Sequence, residues 1–226
     1  MATTVSTSRA RAIIKKLKRE YPRNGAPPAR GITCHLAAAV IGRDAESSKA
    51  YKACDNALDE FVDWNELRVA RWGEVERALR PYLGERHSVD AARRLVQCLQ
   101  QIFQVRGEAS LDGFAEKTPA EARQFLMGLD YLDRDESNLV MLLGFGEPVM
   151  PVDGDVLRAG KRLGVIANGA TKLQAQRALE QSLRGEDLHA CYLALREHGR
   201  RVCFSESPAC ENCPVRRSCR YAPKPN

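Results

Sequence analysis

No stretch of this chain approaches the roughly 20 consecutive apolar residues that a helix needs to span a bilayer. The opening segment MATTVSTSRARAIIKKLKRE also lacks the apolar core of a secretory signal. A cytoplasmic protein is expected. Alternating apolar and polar runs of the kind that build half-buried strands are nearly absent, which argues against a sheet-based fold. There is no internal repeat and no low-complexity tract, so neither a solenoid nor a flexible tether is indicated.

What is present is helical patterning, positive charge at both ends, and a dense group of cysteines. The 226 residues are 44% hydrophobic, enough for one large or two small domains with real cores. The formal charge of +6 is a mild excess that favours an acidic partner only weakly. Its distribution says more. Arg9, Arg11, Lys15, Lys16, Lys18, Arg19, Arg23 and Arg30 lie near the start, and Arg196, Arg200, Arg201, Arg216, Arg217, Arg220 and Lys224 near the end.

Residues 8–20 read as an amphipathic helix, with Ile13, Ile14 and Leu17 on one face and basic residues on the other. Tyr21-Pro22 ends it, and the Pro- and Gly-rich segment 23–31 reads as a linker. Helices are predicted over 33–42, 46–60, 63–69, 72–82, 88–105, 110–115, 119–128, 133–143, 153–163, 171–183 and 186–198. Ser88, Thr118 followed by Pro119, and Asp153 stand where N-caps are expected. The fold class predicted is all-α with short loops.

Four of the eight cysteines fall in CFSESPACENCPVRRSC, residues 203–219, spaced C-x6-C-x2-C-x5-C at Cys203, Cys210, Cys213 and Cys219. In a reducing compartment such clustering points to metal rather than disulfides. Zinc and an iron-sulfur cluster are both open on chemistry. Only Cys210 and Cys213 form the close pair typical of zinc modules, and the wider gaps suit a larger four-cornered group. Cys34, Cys54, Cys98 and Cys191 sit in apolar helical surroundings and read as buried free thiols.

This cysteine spacing, at the end of an all-helical chain of this size, resembles the endonuclease III group of helix-hairpin-helix DNA glycosylases. REHGRRVC at 196–203 is similar to the group's final helix entering its first ligand, and LLGFGEPVMPVDGDVLRAGKRLGV at 142–165 to its helix, turn and Val-Asp stretch. The resemblance implies two helical lobes: a six-helix domain over 31–133, and a cluster domain built from 1–30 with 134–226. It also implies a [4Fe-4S] cluster on the four cysteines and a monomer that binds damaged double-stranded DNA. The DNA-binding hairpin falls on Leu129, Asp130, Tyr131, Leu132, Asp133 and Arg134. Further DNA contacts are expected from Arg200, Arg216 and Arg217.

The group's nucleophilic lysine position falls on Asp135, and its catalytic aspartate on Asp153, with Arg158 on the helix behind. A carboxylate cannot form the Schiff base that leads to strand cleavage. The hairpin glycines are replaced by Tyr131 and Asp133, so carboxylates stand where the group binds a phosphate. In the early pocket helix, HLAAAVIG at 35–42 carries no glutamate, although Asp44 and Glu46 follow. Arg43 or Asp44 replaces the glutamine expected after that run.

Two functions follow as expectations. One is a monofunctional glycosylase that hydrolyses the N-glycosidic bond of an oxidised-pyrimidine-type base in base excision repair. The other is a lesion- or structure-specific DNA-binding protein on the same scaffold without chemistry. An unrelated zinc module is disfavoured, because the resemblance extends well beyond the cysteines.

Overall fold

A computed structural model of the chain describes residues 7–21, 30–43, 45, 47–183 and 186–222. Most of the expected 23–31 linker lies outside them, as do Asp44, Glu46 and Lys224. Among the described residues the secondary structure is helical, with no strand. The α-helices are α1 (Thr7–Glu20), α2 (Ile32–Ile41), α3 (Ser47–Glu60), α4 (Trp64–Val69), α5 (Trp72–Leu83), α6 (Glu85–Arg106), α7 (Pro119–Met127), α8 (Arg134–Gly144), α9 (Gly154–Leu163), α10 (Lys172–Ser182) and α11 (Glu186–Arg201).

Two compact units result. One holds the described residues of Pro27–Glu147, the other those of Met1–Ala26 and Pro148–Asn226. The first unit runs on past residue 133 because α8 packs on α2 and α7.

In the first unit every residue of α2 is buried, as a helix apolar on all sides requires. Around it pack α3, α6 and α8. Its N-terminal end is closed by the short 3-10 turn Asp112–Glu116, which replaces the helix expected at 110–115. The Thr33 hydroxyl accepts from the Leu111 amide at 2.8 Å, and Asp112 Oδ1 accepts from the Thr33 amide at 3.2 Å.

Gly84, at φ 75°, lets the chain reverse sharply between α5 and α6. Helix α6 therefore starts at Glu85, and Ser88 is not its cap. Ser88 is fully buried inside the helix and donates to Glu76 Oε1 at 2.5 Å. Thr118 caps α7 as expected, with Glu121 completing a reciprocal capping box and Pro119 opening the helix.

In the second unit Ala10, Ile13, Ile14 and Leu17 form the buried face of α1, which lies on α11. The basic residues Arg11, Lys15, Lys16, Lys18 and Arg19 are exposed. Helix α11 packs on α9 at Gly199, where an added Cβ would stand 3.0 Å from both the Cβ and the backbone oxygen of Asp155.

Candidate functional site

The hairpin segment joins α7 to α8 in the first unit. Leu129 and Leu132 are buried anchors, 3% and 8% exposed. The backbone between them is largely satisfied from within. The Asp130 amide donates to Gln101 Oε1 at 2.9 Å, the Leu132 amide to the Leu129 carbonyl at 3.3 Å, and the Asp133 amide to Glu136 Oε2 at 2.8 Å. The Tyr131 carbonyl accepts from Arg94 at 3.1 Å.

Asp133 is the N-cap of α8. Its Oδ1 accepts from the Glu136 amide at 2.8 Å, which closes a capping box. Arg134 is exposed and Asp135 partly buried, both in the first turn, where a carboxylate is favoured by the helix dipole.

Glu136 organises this end of the unit. It is 7% exposed, and it accepts from Arg43 Nε at 2.9 Å, Arg43 NH2 at 2.8 Å and Arg94 NH2 at 2.8 Å. Arg94 also donates to the Val40 carbonyl at 2.9 Å. Arg43 thus ties the end of α2 to the start of α8.

Asp153, in the second unit, caps α9, its Oδ1 accepting from the Val156 amide at 2.8 Å. Its Oδ2 forms an ion pair at 3.2 Å with Nε of Arg196, whose side chain is 7% exposed, while the Asp153 side chain keeps 25% exposure. One oxygen is therefore fixed by a helix terminus and the other by a buried cation, which gives the carboxylate a set orientation with a face left to solvent.

Asp155, two residues on, bonds Arg200 Nε at 2.9 Å and Arg158 NH2 at 2.7 Å. Burial opposes its ionisation, but the hydrogen bonds from Arg200 and Arg158 prevail and lower its pKa. Arg158 also donates to the carbonyls of Cys203 and Gly199, both at 2.9 Å. Arg200, expected on DNA, has a side chain only 13% exposed and engaged in this pairing.

The four clustered cysteines are free thiols, Cys203 buried and Cys210, Cys213 and Cys219 half-buried. Burial pushes the Cys213 thiol up, and the nearness of Cys219, Cys203 and Cys210 adds to that. The four sulfurs therefore share one neighbourhood, in which thiolates repel one another unless a cation compensates.

Donors surround them. Arg162 NH1 lies 3.6 Å from Cys203 Sγ, the Tyr221 amide 3.4 Å from Cys219 Sγ, and the Val215 backbone bonds Cys213. His198, 1% exposed, places Nε2 3.8 Å from Cys213 Sγ and shares a 3.0 Å hydrogen bond with the Tyr21 hydroxyl through Nδ1.

Among the described residues no group of three or more His, Cys, Asp or Glu is placed to hold a metal ion. The donor set, four soft sulfurs with N–H donors directed at three of them, has the chemistry of a metal-sulfur cluster site. Beside it Arg216 is half-buried and Arg217 exposed.

No protein-family model matches the chain. It is 30% identical over 114 residues to endonuclease III of Bacillus subtilis (strain 168), a match covering 50% of this chain and 52% of that protein. Endonuclease III of Rickettsia prowazekii (strain Madrid E) is 33% identical over 96 residues, covering 42% and 45%. The chain thus spans about half the length of the curated relatives it matches.

At the level of fold the likeness is nearly complete. A trapped endonuclease III-DNA covalent intermediate superposes with a TM-score of 0.71 at 21% identity, covering 96% of each chain. A thermostable thymine-DNA glycosylase does so with 0.66 at 15% identity, covering 95% of this chain and 96% of that one. The chain has the endonuclease III fold of the helix-hairpin-helix DNA glycosylases.

Within this glycosylase fold, sequence reasoning missed Glu136, Arg94 and Arg196. For Glu136 a signal existed: Asp133-x-x-Glu136 is a capping-box pattern directly ahead of an apolar run. Arg94 and Arg196 carry no such mark, since their partners lie far away in the sequence.

Proposed function

We propose that the protein is a monofunctional DNA glycosylase of base excision repair, releasing an oxidised-pyrimidine-type base from double-stranded DNA without cutting the strand. The observation that carries this reading is the pair of carboxylates at the two family positions. Asp153 is oriented by the α9 terminus and Arg196 and remains 25% exposed. By the resemblance, Asp135 takes the position of the group's nucleophilic lysine.

A fixed carboxylate stabilises the positive charge that develops on the sugar as the glycosidic bond breaks, and its preorganisation saves the reorganisation that water would need. With a carboxylate at 135 no amine is present there to attack the sugar carbon, so no Schiff base forms and no β-elimination follows. Water completes the substitution, and an abasic site is the product.

Cys203, Cys210, Cys213 and Cys219 are the residues that would hold a [4Fe-4S] cluster. Its contribution when bound is structural, pinning the C-terminal segment that carries Arg216 and Arg217 so that these meet phosphates in a fixed register. The protein acts as a monomer on damaged duplex.

The second reading, a lesion-binding protein without chemistry, is favoured by the internal satisfaction of the hairpin amides at Asp130, Leu132 and Asp133, which removes donors that would otherwise meet a phosphate. Chromatographic detection of the free base separates the two. Incubation with duplex carrying an oxidised pyrimidine should release base from the unaltered protein and not from Asp153→Asn, which keeps an N-cap. Lesion-selective binding with no base released by the unaltered protein would establish the second reading instead.

A further inference from the structure

Away from these residues, the start of α2 brings two thiols together. Cys34 lies in the first turn of α2 and is 7% exposed; Cys54 lies on α3 and is fully buried. Helix α2 packs on α3, and the two side chains act on each other's ionisation, Cys54 favouring the Cys34 thiolate and Cys34 opposing ionisation of Cys54.

A cation completes the arrangement. Arg30 NH1 approaches Cys34 Sγ at 3.7 Å, the same guanidinium forms a two-point pair with Asp55 that includes NH2 to Oδ2 at 2.8 Å, and it stands 5.6 Å over the Tyr51 ring. Asp55 holds the guanidinium in place, and the α2 N-terminus adds its own positive end.

At the Cys34 sulfur the influence of Cys54 and Arg30 outweighs that of burial and Asp55. Cys54, ahead of opposing burial and with help from Arg30, lowers the Cys34 pKa from 9.0 to about 7, while Cys54 itself is pushed up by Cys34 and by burial. Cys98 and Cys191 have no such surroundings, and burial raises each to about 12. One thiol of the pair is thus a nucleophile near neutral pH and the other a proton-bearing neighbour.

We propose that Cys34 and Cys54 form a peroxide-reactive dithiol site, with Cys34 the attacking sulfur and Cys54 the resolving one. The Cys34 thiolate attacks one oxygen of hydrogen peroxide, the O–O bond breaks, and hydroxide leaves, giving a sulfenic acid on Cys34. The Cys54 sulfur then attacks Cys34 Sγ, the S–O bond breaks, and the Cys54 proton leaves with the hydroxyl group as water. The pair gives up two electrons, the peroxide takes them, and a disulfide joins α2 to α3.

The test treats the full-length protein, prepared with whatever metal it carries, with submillimolar peroxide and maps thiols under non-reducing conditions. Trypsin separates residues 31–43 from 53–68, so the expected product is these two peptides linked, two hydrogens lighter than their sum. Cys34 should alkylate at pH 7 at least tenfold faster than Cys98 or Cys191, with a rate rising through pH about 7. Arg30→Gln should slow it several-fold without altering the circular dichroism spectrum. In Cys54→Ser a dimedone-reactive Cys34 should accumulate, and in Cys34→Ser Cys54 should stay reduced. Alkylation of Cys34 no faster than that of Cys98, or peroxide treatment that leaves both thiols reduced or pairs Cys34 with a cysteine of the 203–219 segment, would overturn the proposal.

Discussion

Replacing Glu136 by alanine removes the group that three donors from two arginines and the Asp133 amide all address. The arginines differ in what they lose. Arg43 keeps 42% side-chain exposure and can turn to water, so its pairing contributes little. Arg94 is only 12% exposed, and stranding a buried cation costs about 3–5 kcal/mol.

Loss of the capping-box partner adds up to about 1 kcal/mol. The sum is close to 4 kcal/mol, which at about 3 °C per kcal/mol lowers the melting temperature by about 12 °C. Urea denaturation followed by far-UV circular dichroism measures it. Adding Arg94→Met to the Glu136→Ala protein should recover about 2 kcal/mol, because no buried charge is then left unpaired. A loss under about 1 kcal/mol, or no recovery in the double variant, would show that the carboxylate is solvated and that the hairpin is held by other contacts.

Three further outcomes are expected. Gly199→Ala places a Cβ 3.0 Å from the Asp155 backbone oxygen, so α11 must move off α9, and urea denaturation should register a loss of about 1–3 kcal/mol. The lowered Asp155 pKa means that its pairing with Arg200 and Arg158 stabilises the fold fully above the unfolded carboxylate pKa and is lost as pH falls through the folded one. An acid titration should accordingly show Asp155→Asn flattening the fall in stability below about pH 4. In salt-dependent duplex binding, Arg217→Ala should reduce the slope of log affinity against log salt by about 0.9, whereas Arg200→Ala should leave the slope unchanged and lower the melting temperature, since Arg200 is committed to Asp155.

The helices are readable because burial imposes a period of 3.6 on the sequence, plain in α1, and α7 and α9 carry that period together with a cap residue in place. Ser88 misled because the true start of α6 depends on the positive φ of Gly84, a conformational fact that patterning does not encode. The pattern over 110–115 predicts a helix, whereas the chain forms a 3-10 turn over Asp112–Glu116 that closes the α2 terminus through Thr33 and Asp112.

Asp153 is legible as a cap, but its anchor Arg196 is not, because nothing in a linear pattern links residues so far apart. The Cys34 and Cys54 pair was hidden for the same reason: each thiol alone looks like an ordinary buried cysteine, and only the packing of α2 on α3 brings them together. Arg200 illustrates the converse. A basic residue near a presumed DNA surface is easily assigned to phosphate, and only the Asp155 carboxylate beside it shows where its charge is spent.

The central claim is base removal without strand cleavage, and borohydride trapping on lesion-bearing duplex tests it most directly. The protein is incubated with end-labelled duplex carrying an oxidised pyrimidine, with and without borohydride, and each reaction is divided for hot-alkali treatment. The expected result is strand breaks that appear only after alkali, with no covalent protein-DNA adduct. Breaks without alkali, together with a trapped adduct, would contradict the account by showing that an amine of this chain reaches the sugar after all.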